Sequence, residues 1–189
     1  MTLLVTGLAL FLAVHSLSIV APELRAQVMA THGKRAWLLP YTAISIVGFG
    51  LIVWGYGLAR MEPAFVYAPP MSLRHLALLV LLPVFPLLIA AYVPSRIKLA
   101  VRHPMLLATI LWGLAHLMAN GTFADLVLFG GFTLWAAIDW VSVTNRPRKA
   151  EAPTPRGWRG DAIAVLGGLA AYGLFVAGLH QWLIGVSPL

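Results

Sequence analysis

Six apolar runs, each close to the length of one bilayer crossing, constrain this chain more than any other feature. They cover residues 2–20, 38–59, 73–93, 104–118, 123–143 and 162–185. A helix needs roughly 20 apolar residues to cross the hydrocarbon core, and in lipid its backbone groups must bond within the segment. The fourth run is short and starts at the interface with the segment before it. Only 10% of the 189 residues are charged, against about 25% in a soluble domain, and the charges stand between the runs. The expected fold is all-α: a polytopic integral membrane bundle of about six transmembrane helices, forming one domain over residues 1–189. The first run has no preceding Lys or Arg, unlike the basic start of a cleaved signal peptide, so it is expected to be retained.

Local signals place the helix ends. Ser72 is positioned to cap the third helix. Asn120-Gly121 is a turn dipeptide, and Thr122 with Asp125 has the spacing of a capping box for the fifth helix. Pro22 and Pro94 stop the segments before them. Pro83 and Pro86 predict a kink inside the third span. Gly167, Gly168, Gly173 and Gly178 in the last span, and Gly130 and Gly131 in the fifth, are expected to allow close helix packing.

Lys and Arg are distributed unevenly. Loop one has Arg25, Lys34 and Arg35; loop three has Arg96, Lys98 and Arg102; loop five has Arg146, Arg148, Lys149, Arg156 and Arg159. The opposite side has Arg60 and Arg74. The positive-inside rule then puts loops one, three and five in the cytoplasm and both termini outside. Loop five, TNRPRKAEAPTPRGWRG, reads as a flexible linker before the last helix. The formal net charge of +7 belongs to such loops, which touch lipid headgroups. No basic patch interleaved with exposed aromatics points to nucleic acid. With no cysteine in the chain, disulfides, thiolate metal sites and cysteine nucleophiles are excluded. No G-x-S-x-G elbow, H-E-x-x-H pair or P-loop occurs.

Ionisable side chains are expensive in a membrane and mark functional candidates. The stretch RHPMLLATILWGLAHLMANG, from Arg102 to Gly121, has several polar positions in an apolar run. Helical spacing puts Thr109, Trp112, His116 and Asn120 on one stripe, with Gly113 leaving a gap beside it. His103 lies 13 residues before His116. It therefore sits about 20 Å lower on another face and cannot share a ligand with His116 on one straight helix. In the first helix His15 lies in FLAVHSLS. Imidazole is a natural axial ligand of haem iron and a natural proton carrier; its bland role is a hydrogen bond to a neighbouring helix. His32, His75 and His180 suit loop or interfacial positions, with His180 held in reserve as a ligand. Asp139 in WAAIDW needs a counter-ion if buried, with Arg102 and Arg146 as the candidates, and otherwise is an interfacial carboxylate that reaches water.

The segments VHSLS, RHPMLLATILWGLAHLMANG and ADLVLFGGFTLWA resemble the NnrU family of bacterial membrane proteins. The resemblance covers a core over residues 3–146 and leaves the helix at 162–185 without a recognised motif. It implies a multi-pass protein of the bacterial inner membrane, with both termini periplasmic, acting in denitrification. The family is similar to plant zeta-carotene isomerase, a membrane enzyme with haem b. That similarity implies His15 and His116 as axial metal ligands. The isomerase has a Cys three residues before the second histidine, where this chain has Gly113. A more distant similarity to isoprenylcysteine carboxyl methyltransferases implies that Arg102 and His103 meet S-adenosylmethionine, although the Glu-Glu element of those enzymes is missing after Asp139.

The leading expectation is thus a haem b protein of nitrogen-oxide metabolism, serving as a haem sensor, an electron-transfer partner or an enzyme with redox-dependent, isomerase-like activity. His15 and His116 are the metal ligands, and His103, Arg102, Trp112 and Asn120 complete the cofactor-binding set. Helix rise sets His15 and His116 about 10 Å apart in depth. If nothing absorbs that offset, His15 and His103 become the closer pair. The expected partners are membrane lipid and an apolar small molecule or nitric oxide, not nucleic acid. Two alternatives stand beside it. One is a haem-free isomerase or methyltransferase acting on an apolar or lipid substrate, with His116 as general acid–base. The other is a non-catalytic assembly factor for nitrite or nitric oxide reductase, or a small-molecule transporter.

Overall fold

The computed structural model describes residues 1–146 and 157–189. Arg148, Lys149, Arg156 and the centre of the expected linker lie outside the described residues. The elements in chain order are α1 (Thr2–Val20), α2 (Pro22–Thr31), α3 (Gly33–Ala59), α4 (Met71–Leu81), α5 (Val84–Tyr92), α6 (Arg96–Val101), α7 (Pro104–Ala119), α8 (Phe123–Thr144), α9 (Arg159–Leu174), a π-helical turn at Phe175–Leu179, and α10 (His180–Ile184). Among the described residues every regular element is a helix, and one isolated antiparallel bridge joins Phe65 and Thr122. Among the described residues five helical stretches are long and apolar enough to cross a membrane, and α7 is a shorter apolar helix. Large apolar side chains such as Ile46 (66% exposed) and Leu166 (67%) cover the outside. In water they would be an aggregation surface; here they face lipid. The chain is a polytopic helical membrane protein.

Several expected ends hold. Pro22 is the first residue of α2, where its missing N–H is no loss. The third span breaks between Leu81 and Val84, at Pro83, into α4 and α5. Thr122 Oγ1 accepts from Asp125 N while the Asp125 carboxyl accepts from Thr122 N, so the capping box forms. Three details differ. Ser72 caps nothing, because α4 begins two residues earlier than expected, at Met71 behind extended Pro70. Loop one is largely the helix α2. α3 starts at Gly33 rather than residue 38, because hydropathy marks only the lipid-embedded part while Lys34 and Arg35 wind on into the headgroup layer.

The helices alternate in direction between two ends. One end gathers Met1, Ala59, Met71, Ala119, Phe123 and Ile184. The other gathers Val20, Gly33, Tyr92, Pro104, Thr144 and Arg159. All described basic residues except Arg60 and Arg74 lie towards this second end, called the Arg102 end below. There Arg96 Nε bonds Asp161 Oδ2 at 2.5 Å and Ile97 N donates to Asp161 Oδ1, tying α6 to α9.

Close helix seams build the bundle. α1 packs on α3, α7 on α8 and α5 on α9. A Cβ at Gly7 would stand 2.6 Å from Ile52 N and 2.8 Å from Gly48 O, so backbone meets backbone where α1 crosses α3. Of the glycines expected at seams, Gly168 meets Pro86 and Gly167 meets Ile89, while Gly130, Gly173 and Gly178 have open space where a Cβ would stand. The gap expected beside Gly113 is filled by Thr133 of α8. One core joins Leu4, Leu8, Ile52, Ala124, Leu128 and Phe129; a second joins Val84, Leu87 and Ala108. Trp112 packs against both.

Candidate functional site

His116 lies one turn from the end of α7, and its Nδ1 is 2.8 Å from Trp112 O. A carbonyl oxygen only accepts, so Nδ1 carries the proton, and the neutral ring holds its lone pair on Nε2. That is the tautomer of a metal-ligating or proton-accepting imidazole. The ring stacks on Phe129 at 4.5 Å between centroids and lies 5.0 Å from Trp112. Its other neighbour is the His180 ring, at 6.4 Å with planes 29° apart.

The stripe forms, with different tasks along it. Thr109 and Trp112 line a pocket of about 260 Å³ with Val84, Leu88, Ala108 and Phe132. Asn120 serves the turn instead: Nδ2 donates to His116 O, and its own carbonyl accepts from Tyr67 Oη at 2.6 Å. Burial, with the Asp125 carboxyl adding to it, pushes the Tyr67 phenol up and keeps it a donor.

Beside this group lies a polar knot that the sequence reasoning only half found. Asp125 is buried. Its Oδ1 accepts from Tyr56 Oη at 2.6 Å, and its Oδ2 from Thr122 N at 2.9 Å and Oγ1 at 2.6 Å. The Arg60 guanidinium sits over the Tyr56 ring and donates to Ile184 O at 3.0 Å. The capping box revealed Asp125 but not its partner. Tyr56 follows Gly55 on the same helix as Gly48, and that seven-residue glycine spacing was the available sign of a face turned inward.

His15 has the same tautomer lock, with Nδ1 2.7 Å from Phe11 O. It stacks on Phe11 and lines an open pocket of about 340 Å³ with Tyr41, Thr42, Ser45, Ile46 and Phe49. The structure does not bring His15 and His116 together. His15 meets α8 at Trp135 and His116 meets it at Phe129, six residues or about 9 Å along the helix. Between them runs a chain of rings: Phe11, Phe132 and Trp112. Two imidazoles on one metal need their nitrogens about 4 Å apart, so this pair does not fit a single iron.

Arg102 and His103 lie at the other end. His103 N bonds Val101 O at 2.7 Å, which closes a γ-turn around Arg102 at φ 63 and ψ −51. This turn is strained for any residue with a Cβ. His103 then precedes α7, its ring edge-on to Trp140 at 6.4 Å. It does not reach His15 through any ring contact among the described residues. The ion pair expected for Asp139 does not form. Arg146 instead donates to Ser18 O and Ser142 Oγ, and Asp139 Oδ1 has no hydrogen-bond partner among the described residues. Arg146 loses less by capping the end of α1 and bonding the Ser142 hydroxyl at the interface than by reaching a carboxyl inside the bundle. Among the described residues no group of three or more His, Asp or Glu side chains could hold a bare metal ion.

No curated protein and no solved structure matches the chain. The family model described as NnrU protein matches residues 3–188. That span takes in α9 and α10. The chain therefore belongs to the NnrU protein family.

Proposed function

We propose that this NnrU-family membrane protein binds b-type haem at the Met1 end of the bundle and acts in the nitrogen-oxide metabolism of a bacterial inner membrane. The observation that carries the reading is the lock on His116: Nδ1–H held by Trp112 O, Nε2 left with its lone pair, inside an apolar bundle. The donor set suits haem. The chain has imidazoles and no thiols, and haem needs only axial ligands from the protein. Haem, when bound, supplies one-electron exchange. In this chain His116 holds it, Phe129 and Trp112 fix the ring and exclude water, and Asn120 closes the helix end. The charge asymmetry supports an orientation with the Arg102 end in the cytoplasm and both termini in the periplasm.

The test is the visible spectrum of the protein in mild detergent, oxidised and dithionite-reduced, with a pyridine haemochrome assay. About one b-type haem per chain is expected, and His116→Ala should lose it while His32→Ala keeps it. No Soret band, even after haem is supplied, overturns the reading.

The pocket lined by Thr109 and Trp112 favours a second reading, a haem-free enzyme on an apolar substrate with His116 as general acid–base. Its size is near the low end for small-molecule pockets. Saturable binding of S-adenosylmethionine or of a lipid substrate by the haem-free protein, abolished by His116→Ala, would establish it.

A further inference from the structure

The haem reading leaves one place open: the ligand opposite His116. We propose that His180, and not His15, is that second axial ligand. The inference rests on the haem reading and deepens it. Three observations converge.

The first is distance. A metal–nitrogen bond of about 2.05 Å and about 1.15 Å from nitrogen to ring centre place each ring centre about 3.2 Å from the ion. Two trans imidazoles then stand about 6.4 Å apart, centre to centre, whereas a tetrahedral angle brings them to about 5.2 Å. The His116 and His180 rings are 6.4 Å apart with planes 29° from parallel.

The second is chemistry. His180 Nδ1 is 2.7 Å from Val186 O, so it donates there and the His180 lone pair is on Nε2, as in His116. Both rings thus meet the usual requirement of a ligating histidine, an outer N–H held by a carbonyl. The described residues offer no third or fourth ligand. A bare zinc-type ion wants three or four protein ligands, while a macrocycle that brings its own four is completed by two.

The third is construction. Five residues of π-helix, Phe175–Leu179, separate α9 from α10. The extra residue of such a turn rotates everything after it by about 100°, and His180 is the first residue after it. Gly185 at φ 79 turns the chain so that Val186 O returns to His180, and Arg60 holds Ile184 O from α3. The last helix is built to aim one imidazole at α7.

The experiment uses the full chain loaded with haem and reads absorption and ferric EPR, with size-exclusion profiles to confirm intact folding. Wild type should be low-spin. His180→Ala should keep haem bound through His116 but become high-spin throughout, and added free imidazole should restore the low-spin bands. His15→Ala should keep the wild-type spectrum. A His180→Ala protein that stays low-spin, with His15→Ala turning high-spin, overturns the pairing and leaves haem binding intact. Wild type that takes up no haem overturns the haem reading and the pairing with it.

Discussion

Replacing Gly113 by cysteine installs the residue that zeta-carotene isomerase has three positions before its corresponding histidine, and the structure says what this costs. A Cβ at Gly113 lands on Thr133 Oγ1 and stands 2.9 Å from Phe129 O. Thr133 cannot simply rotate away, because its hydroxyl donates to that same Phe129 O at 2.7 Å. Comfortable carbon–oxygen contact begins near about 3.4 Å, so α7 and α8 must part by about half an ångström to clear the Phe129 carbonyl, and Thr133 must also give up its hydroxyl position. Overpacking of this kind costs about 1–3 kcal/mol, or roughly 2–12 °C in Tm for a chain of this size. The assay is thermal unfolding in mild detergent, with Gly50→Ala as control. Nothing lies within 4 Å of a Cβ at Gly50, so that variant should be neutral or stabilised by up to about 1 kcal/mol. Adding Thr133→Ala to Gly113→Cys should recover only part of the loss, since the carbonyl contact remains. A Gly113→Cys protein that melts with wild type would refute the tight seam and reopen a thiolate at this position.

Three further outcomes follow from single contacts. Arg102→Gly relieves the γ-turn strain of about 1–3 kcal/mol and adds about 0.5–1 kcal/mol of chain entropy, so Tm should rise or hold; a clear drop would show that the turn is unstrained. Tyr56→Phe leaves the buried Asp125 Oδ1 without its donor and should cost about 1–3 kcal/mol in the same melts, whereas an unchanged Tm would mean the knot adds nothing. The Tyr67 phenol ionises above its ordinary value of 10.0 in the folded protein. Its contribution is therefore complete below pH 10 and is lost as pH rises through the folded value. Melts from pH 8 to 11 should show less alkaline loss for Tyr67→Phe than for wild type, and identical alkaline arms would contradict the Tyr67–Asn120 bond.

The sequence by itself determined what depends on local chemistry and on the solvent. Apolar length fixed the spans, because lipid admits only segments that satisfy their own backbone. Pro83 fixed the break between α4 and α5, and Thr122 with Asp125 fixed the start of α8, because proline and the capping box act within one turn. The stripe of Thr109, Trp112 and His116 followed from helical period alone, as did the separation of His103 from His116. Tertiary structure decided which faces meet. The Tyr56 hydroxyl finds Asp125 across 69 positions of sequence, and no local pattern encodes such a pairing. Gly113 reads as a gap until α8 fills it, and Asp139 reads as half of an ion pair until Arg146 is drawn to Ser18 and Ser142. His15 and His116 look like a pair in one dimension, yet α8 holds them at Trp135 and Phe129, two levels apart. His180 looks interfacial until a π-turn and a left-handed glycine bring its ring beside that of His116. Local sequence sets the lengths, ends and tautomer locks of these helices, while the identity of a facing partner depends on packing contacts between segments distant in the chain.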